Sequence, residues 1–322
     1  MHKTIKSTIA ILIITILLSA CGQPASPAEQ ASDKLTVSVS ILPQKYLVER
    51  IGGELVNVNV MVGPGESPHS YEPKASQMTA LSDSAAYFSI GVEFEDAWMD
   101  RIASANPEME IIDLTQGINQ IPSVGEHSHE EDADHEEHTD DDHEHDEEEG
   151  EEGHHDETEH ADEMDPHIWT SPANGAVMAG IIADTLVTLD PDNAETYREN
   201  LDGFLSDIAQ LQQDITTALE DLDTRKFIVF HPAWGYFAQE FDLSQLPIEV
   251  AGNEPSAAEL AGLITEAKEE NITVIFAQPE FSTRSADYIA SEIGGKVVLI
   301  SPLAENWLDN LNNVAQTFSE EL

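Results

Sequence analysis

The chain has 322 residues, enough for two domains, and about 40% of them are hydrophobic, so a globular core is within reach. Its formal net charge is −50, with 63 acidic residues against 13 basic ones. That balance excludes charge-driven binding to nucleic acid or anionic lipid and fits attraction of cations.

The chain opens with a positive patch, Lys3 and Lys6, then an apolar run over 9–18. This run has the length of a signal-peptide core and is short for a membrane span. It ends in Leu18-Ser19-Ala20-Cys21, which resembles the lipobox of bacterial lipoproteins. By that resemblance residues 1–20 are removed, Cys21 carries the lipid, and 21–34 form an anchored tether rich in Ala, Ser and Pro. Cys21 is the only cysteine, so no intramolecular disulfide forms and any metal site is built from His, Asp and Glu. No later apolar run reads as a membrane span, so the mature chain is expected to be soluble apart from its anchor.

Strand-like runs at 35–40, 56–62 and 85–92 alternate with amphipathic stretches at 44–52 and 74–82, an order that predicts βαβ units around a parallel sheet. An insert follows at about 126–163. Between Glu126 and Asp165 there are 23 acidic residues, nine histidines (His127, His129, His135, His138, His143, His145, His154, His155 and His160) and no Lys or Arg. With almost no apolar content, nothing offsets the entropy of ordering it, and a disordered loop is expected. Its density of imidazoles and carboxylates reads as a low-affinity metal collector, with a plain solvated acidic loop as the alternative.

A helical stretch at 174–189 ends in Asp190-Pro191-Asp192, a stop-and-start signal. Then Tyr197, Leu201, Phe204, Leu205, Ile208, Leu211, Ile215, Leu219 and Leu222 recur at steps of three and four, one face of a helix. Roughly 30 residues would make a rod of about 45 Å, able to cross between two lobes. Strand-like runs return at 227–230, 274–277 and 297–300, with a helical run at 257–269 capped by Ser256. The expected organisation is an N-terminal α/β lobe over 35–173, helices over 174–222 including the linking helix, and a C-terminal α/β lobe over 223–322. No sequence repeat links the halves.

Outside the insert and the signal there are three histidines. His69 lies in the Gly- and Pro-rich loop Gly63–Pro73 after a strand, where open α/β sheets bind ligands. His167 lies in Asp165-Pro166-His167-Ile168-Trp169, as order resumes after the insert. His231 lies in Phe230-His231-Pro232-Ala233-Trp234-Gly235-Tyr236, again after a strand. Singly, each is more often a hydrogen-bonded histidine than a ligand. Together, neutral imidazoles in such contexts suit zinc.

These pieces, with Phe276-Ala277-Gln278-Pro279-Glu280-Phe281 and the lipobox, resemble the metal-binding proteins of bacterial zinc and manganese ABC importers over nearly all of 35–322. The resemblance implies two α/β lobes joined by one stiff helix, with metal in the cleft. It gives His69 and His167 to the first lobe and His231 to the second. Manganese-type members tend to carry a carboxylate where His231 stands, so zinc is implied as the cargo, delivered to a membrane permease by a monomer. Many members place an Asp before a Pro-Leu pair as fourth ligand; here Ser301 stands there. The fourth position is then water, Glu280 or Glu305, with Glu66 another acid nearby, and Glu280 is entered in the expected set. Competing readings are a manganese or iron carrier, a surface adhesin, and a zinc hydrolase; no HExxH, Ser-nucleophile or phosphate-loop motif is present.

Overall fold

The computed structural model describes residues 34–123, 164–249 and 255–322. The signal peptide, Cys21, the tether, the insert with its nine histidines, and Asn253 and Glu254 lie outside the described residues. Two four-stranded parallel sheets organise the rest. The first contains β1 (Leu35–Val39), β2 (Val56–Val60), β3 (Ala86–Ser89) and β4 (Glu110–Asp113) in the order β2-β1-β3-β4. The second contains β5 (Lys226–Val229), β6 (Ser244–Pro247), β7 (Val274–Ala277) and β8 (Lys296–Leu299) in the order β6-β5-β7-β8, which repeats the strand order of the first.

The inner strands β3 and β7 are buried at every position, as parallel strands covered on both faces must be. Helices α1 (Leu42–Gly52), α2 (Ala75–Ala80) and α3 (Glu93–Ala105) belong to the first lobe. Helices α6 (Gly235–Glu240), α7 (Ala257–Glu269), α8 (Arg284–Ile293) and α9 (Trp307–Glu321) belong to the second. Ser256 caps α7 as expected, its hydroxyl accepting from the Glu259 amide.

Between the lobes run α4 (Pro172–Leu189) and α5 (Ala194–Ala218), separated by a 3-10 turn at Pro191–Asn193 where the sequence signals a stop and restart. The 25 residues of α5 make a rod of about 37 Å, shorter than expected because the helix ends at the Leu219 cap. Its expected stripe faces the core: Tyr197, Phe204, Ile208, Leu211 and Ile215 are buried. Their transfer from water contributes on the order of 10 kcal/mol. Helix α5 packs on α1 of the first lobe and on α9 of the second, with the Phe204 ring edge-on to both Tyr46 and Trp307, so α5 links the lobes. Arg50 pins α1 to it, pairing with Asp207 at 2.6 Å and lying 4.7 Å over the Phe204 ring.

One expectation needs correction. Helix α4 has 18 residues and is, by length and composition, apolar enough to cross a membrane. Its apolarity has a core role: Met178, Ala179, Ile182, Ala183 and Leu186 are buried where it packs on α1 and α5.

Candidate metal centre

The strand order places a crevice between β1 and β3 in one lobe and between β5 and β7 in the other, at their C-terminal ends. His69 sits in the 3-10 turn Pro68–Ser70 after β2, with the Ser67 hydroxyl accepting from its amide. The loop before it is held by Glu66, which accepts from the Gly63 amide at 3.0 Å and pairs with Lys74 at 2.8 Å. Gly65 has φ +76, a backbone state that favours glycine. Glu66 is thus spent on the loop, which removes it as a ligand candidate.

His231 follows β5 and His167 precedes the 3-10 turn Ile168–Thr170. The fold brings all three together: one ring nitrogen from each of His69, His167 and His231 lies within 4.8 Å of the other two. The Nε2 atoms of His167 and His231 are 3.2 Å apart. Two nitrogens on one tetrahedral zinc, at about 2.0–2.1 Å from it, stand roughly 3.3 Å apart, so the spacing fits a shared ion.

Each ring is oriented by its own carboxylate. Nδ1 of His69 meets Glu93 Oε1 at 2.5 Å, Nδ1 of His167 meets Asp165 Oδ1 at 2.7 Å, and Nδ1 of His231 meets Glu249 Oε2 at 2.6 Å. A carboxylate on Nδ1 holds the proton there and leaves the Nε2 lone pair free, as in metal-ligating imidazoles. Asp165 also accepts the His167 amide at 2.9 Å, and Gln278 Nε2 donates to the His231 carbonyl at 3.0 Å.

Burial, helped by the neighbouring His167 and His69, pushes the His231 imidazole below its ordinary value against the pull of Glu249, which favours the neutral ring near pH 7. For Glu93 burial pushes upward, but the hydrogen bond and charge of His69 outweigh it and the carboxyl stays below the usual range. Apolar walls close the pocket. Phe281 stacks on His231 with centroids 5.1 Å apart, and Trp169 lies 5.2 Å from His167.

Glu280 lines this pocket but is not among the three close nitrogens and their partners. Its Oε1 accepts from Ser301 Oγ at 2.9 Å, so the serine standing in the place of a common aspartate holds the glutamate instead. Glu305 is elsewhere, paired with Lys45 at 2.5 Å across the lobes, and is no ligand candidate. Sequence reasoning missed Glu93 and Glu249 as partners. Both stand just past a strand's C-terminal end, β3 and β6, the same signal that located His69 and His231.

The segment bearing His167 is fastened mainly to the second lobe. Tyr236 Oη donates to the Asp165 carbonyl at 2.9 Å, Trp169 Nε1 to the Pro302 carbonyl at 2.8 Å, and Trp307 Nε1 to the Trp169 carbonyl at 2.6 Å.

A family profile described as "ZnuA: Zinc-uptake complex component A periplasmic" matches residues 37–321. The chain is 31% identical over 312 residues to the "High-affinity zinc uptake system protein ZnuA" of Bacillus subtilis, covering 94% of this chain and 90% of that protein. It is 27% identical over 335 residues to the "Zinc-binding lipoprotein AdcA" of Streptococcus pneumoniae, of whose length it spans 62%. Among solved structures, a "138-173 ZnuA deletion mutant plus zinc bound" superposes with a TM-score of 0.76 at 42% identity, covering 90% of this chain and 98% of the other. The three-histidine pocket sits inside the matched span, and the chain belongs to the family of periplasmic zinc-uptake components described as ZnuA.

Proposed function

We propose that this chain is an extracytoplasmic, high-affinity zinc-binding protein that presents Zn2+ to the permease of an ABC importer. The observation that carries the reading is the convergence of His69, His167 and His231, each with a carboxylate on Nδ1 and Nε2 free. Three neutral imidazoles suit zinc better than the harder manganese, which prefers oxygen. The three nearby carboxylates offset the ion's charge without entering its first ring of ligands. Similarity to proteins named for zinc uptake and zinc binding supports the same cargo.

Binding rather than hydrolysis is favoured because Glu93, Asp165 and Glu249 are engaged with imidazoles and are not free to act as bases. Glu280 belongs to the site as the acid among the residues that line the histidine pocket. Cys21 carries the lipid anchor, the monomer is tethered outside the cytoplasmic membrane, and the insert 126–163 collects zinc weakly for the cleft. A manganese or iron carrier of the same architecture is the second reading, and a surface adhesin a third; the all-nitrogen histidine set favours zinc over manganese.

The test is calorimetric titration of zinc and manganese into chelator-stripped protein lacking residues 1–21, beside a variant also lacking 126–163. One tight zinc site that survives the deletion, with far weaker manganese binding, is expected. Loss of the tight site with the insert would sink the three-histidine reading.

A further inference from the structure

His231 belongs to the second lobe and the segment bearing His167 is fastened to it, so His69 is the first lobe's own contribution to the site. It rides on a long excursion of the chain over 61–74, from the end of β2 to the start of α2. Ordering the backbone of a single residue costs about 1–2 kcal/mol, so a ligand on such a loop keeps its place only where the loop is tied.

Gln77, in the first turn of α2, ties both ends of it. At the far end its Oε1 accepts from the Lys74 amide at 2.9 Å and from the Tyr71 hydroxyl at 2.5 Å. At the near end its Nε2 donates to the Val60 carbonyl at 3.1 Å and to the Met61 carbonyl at 2.5 Å. A carboxamide has two lone pairs and two protons, and all four are used here. The backbone partners fix which way it faces, because the Lys74 N–H can only donate and the two carbonyls can only accept. Tyr71 carries the tie inward. It is 7% exposed, and its ring stands edge-on to Phe94 with centroids 5.4 Å apart. Phe94 adjoins Glu93, whose carboxylate holds the His69 ring. The loop is therefore gripped from α2 by Gln77 and from α3 by Phe94 and Glu93, with His69 between them.

We infer that Gln77 is a positioning residue for the metal: by closing the loop 61–74 it holds His69 where it meets His167 and His231, and its loss acts on zinc chiefly through faster release. The inference rests on the zinc-binding reading above and deepens it. A role confined to starting α2 is separable from this one. Glutamate at the third position of a helix makes the same bond back to the first amide. Gln77→Glu thus keeps the acceptor for Lys74 and Tyr71 and removes both donors to Val60 and Met61.

In protein lacking residues 1–21, Gln77→Glu should bind zinc about 10- to 100-fold more weakly, the range for groups behind a ligand. The rate of zinc release into excess chelator should rise by the same factor while the association rate moves little. The visible bands of the cobalt(II)-loaded variant should shift, because one of three imidazoles is loosened. Asn106→Ala is the control: it strips hydrogen bonds from the Leu81, Ser82 and Ser84 carbonyls of the same lobe, outside the loop. It should lower stability and leave zinc affinity and the cobalt bands as they are. If Gln77→Glu does not fold, Gln77→Asn, the same amide on an arm one methylene shorter, carries the same expectation. Zinc affinity and release within about twofold of wild type, or a loss matched by Asn106→Ala, overturns the inference. Failure of the wild type to bind zinc at all is a different result, which removes the zinc reading itself.

Discussion

Gly235→Ala tests whether the outer carboxylates set metal affinity. Gly235 is buried at the start of α6, and a Cβ there would stand 2.5 Å from Asp165 Oδ2, 3.1 Å from Ile121 Cδ1 and 3.2 Å from Gln245 Nε2. Ordinary contact begins at 3.4 Å, so Asp165 would have to retreat by about 0.9 Å. At 2% exposure it has no route to solvent. Its other oxygen holds the His167 ring at 2.7 Å, and the same retreat would stretch that bond to about 3.6 Å, past hydrogen-bond range. The backbone effect runs the other way, because alanine in a helix is favoured over glycine by about 0.5–1 kcal/mol. It partly offsets an overpacking cost of about 1–3 kcal/mol. The metal-free variant should therefore fold with a modest loss of stability. Zinc affinity should fall about 10- to 100-fold, or about 1.4–2.8 kcal/mol, as the His167 ring loses its orienting partner. Competition against a chromogenic chelator measures the affinity, and circular dichroism checks the fold. A folded variant that binds zinc within twofold of wild type would refute the role given to Asp165.

Glu95 is 4% exposed, and burial pushes it up to about 7 against the pull of hydrogen bonds from Ser40, Gly91 and Ile90. Unfolded, the group returns to its ordinary 4.5, so the folded state holds the extra proton between those values. Its stabilising effect is full below about pH 4.5 and is lost as pH rises through about 7, a change on the order of 3 kcal/mol. Urea unfolding of metal-free protein from pH 4.5 to 8 should show this slope in wild type and not in Glu95→Gln; equal slopes would mean that the hydrogen bonds outweigh desolvation. His231→Asp should lower the ratio of zinc to manganese affinity by at least about tenfold, read by calorimetry, because oxygen replaces nitrogen; an unchanged ratio contradicts the ligand assignment. Zinc at about 100 times its dissociation constant should stabilise the wild type by about 2.7 kcal/mol, and His69→Ala should lose most of that gain in the same thermal scans.

Much of this was legible because burial leaves a period in the chain. The stripe from Tyr197 to Ile215 announces α5, and the runs that become β3, β5 and β7 are mostly apolar because both faces are covered. The edge strands β4 and β6, Glu-Ile-Ile-Asp and Ser-Gln-Leu-Pro, carry polar residues and escaped notice. Pro247 is tolerated because β6 has a neighbour on one side only. The three histidines stood out by context, yet their carboxylate partners did not. Glu93 is 24 residues from His69 and Glu249 is 18 from His231, separations that only the parallel sheets convert into contact. In a chain with 63 acidic residues, no local signal separates these two from the rest.

The attachment of His167 to the second lobe changes what opening the cleft would mean. Counted by covalent order, the first lobe brings two imidazoles and the second brings one. Counted by the bonds from Tyr236, Trp169 and Trp307, His167 and His231 travel as one rigid pair and His69 arrives alone with Glu93. A tilt of the lobes about α5 would therefore act like the drawing of a single pin: it would withdraw His69 and Glu93 together and leave the other two imidazoles side by side.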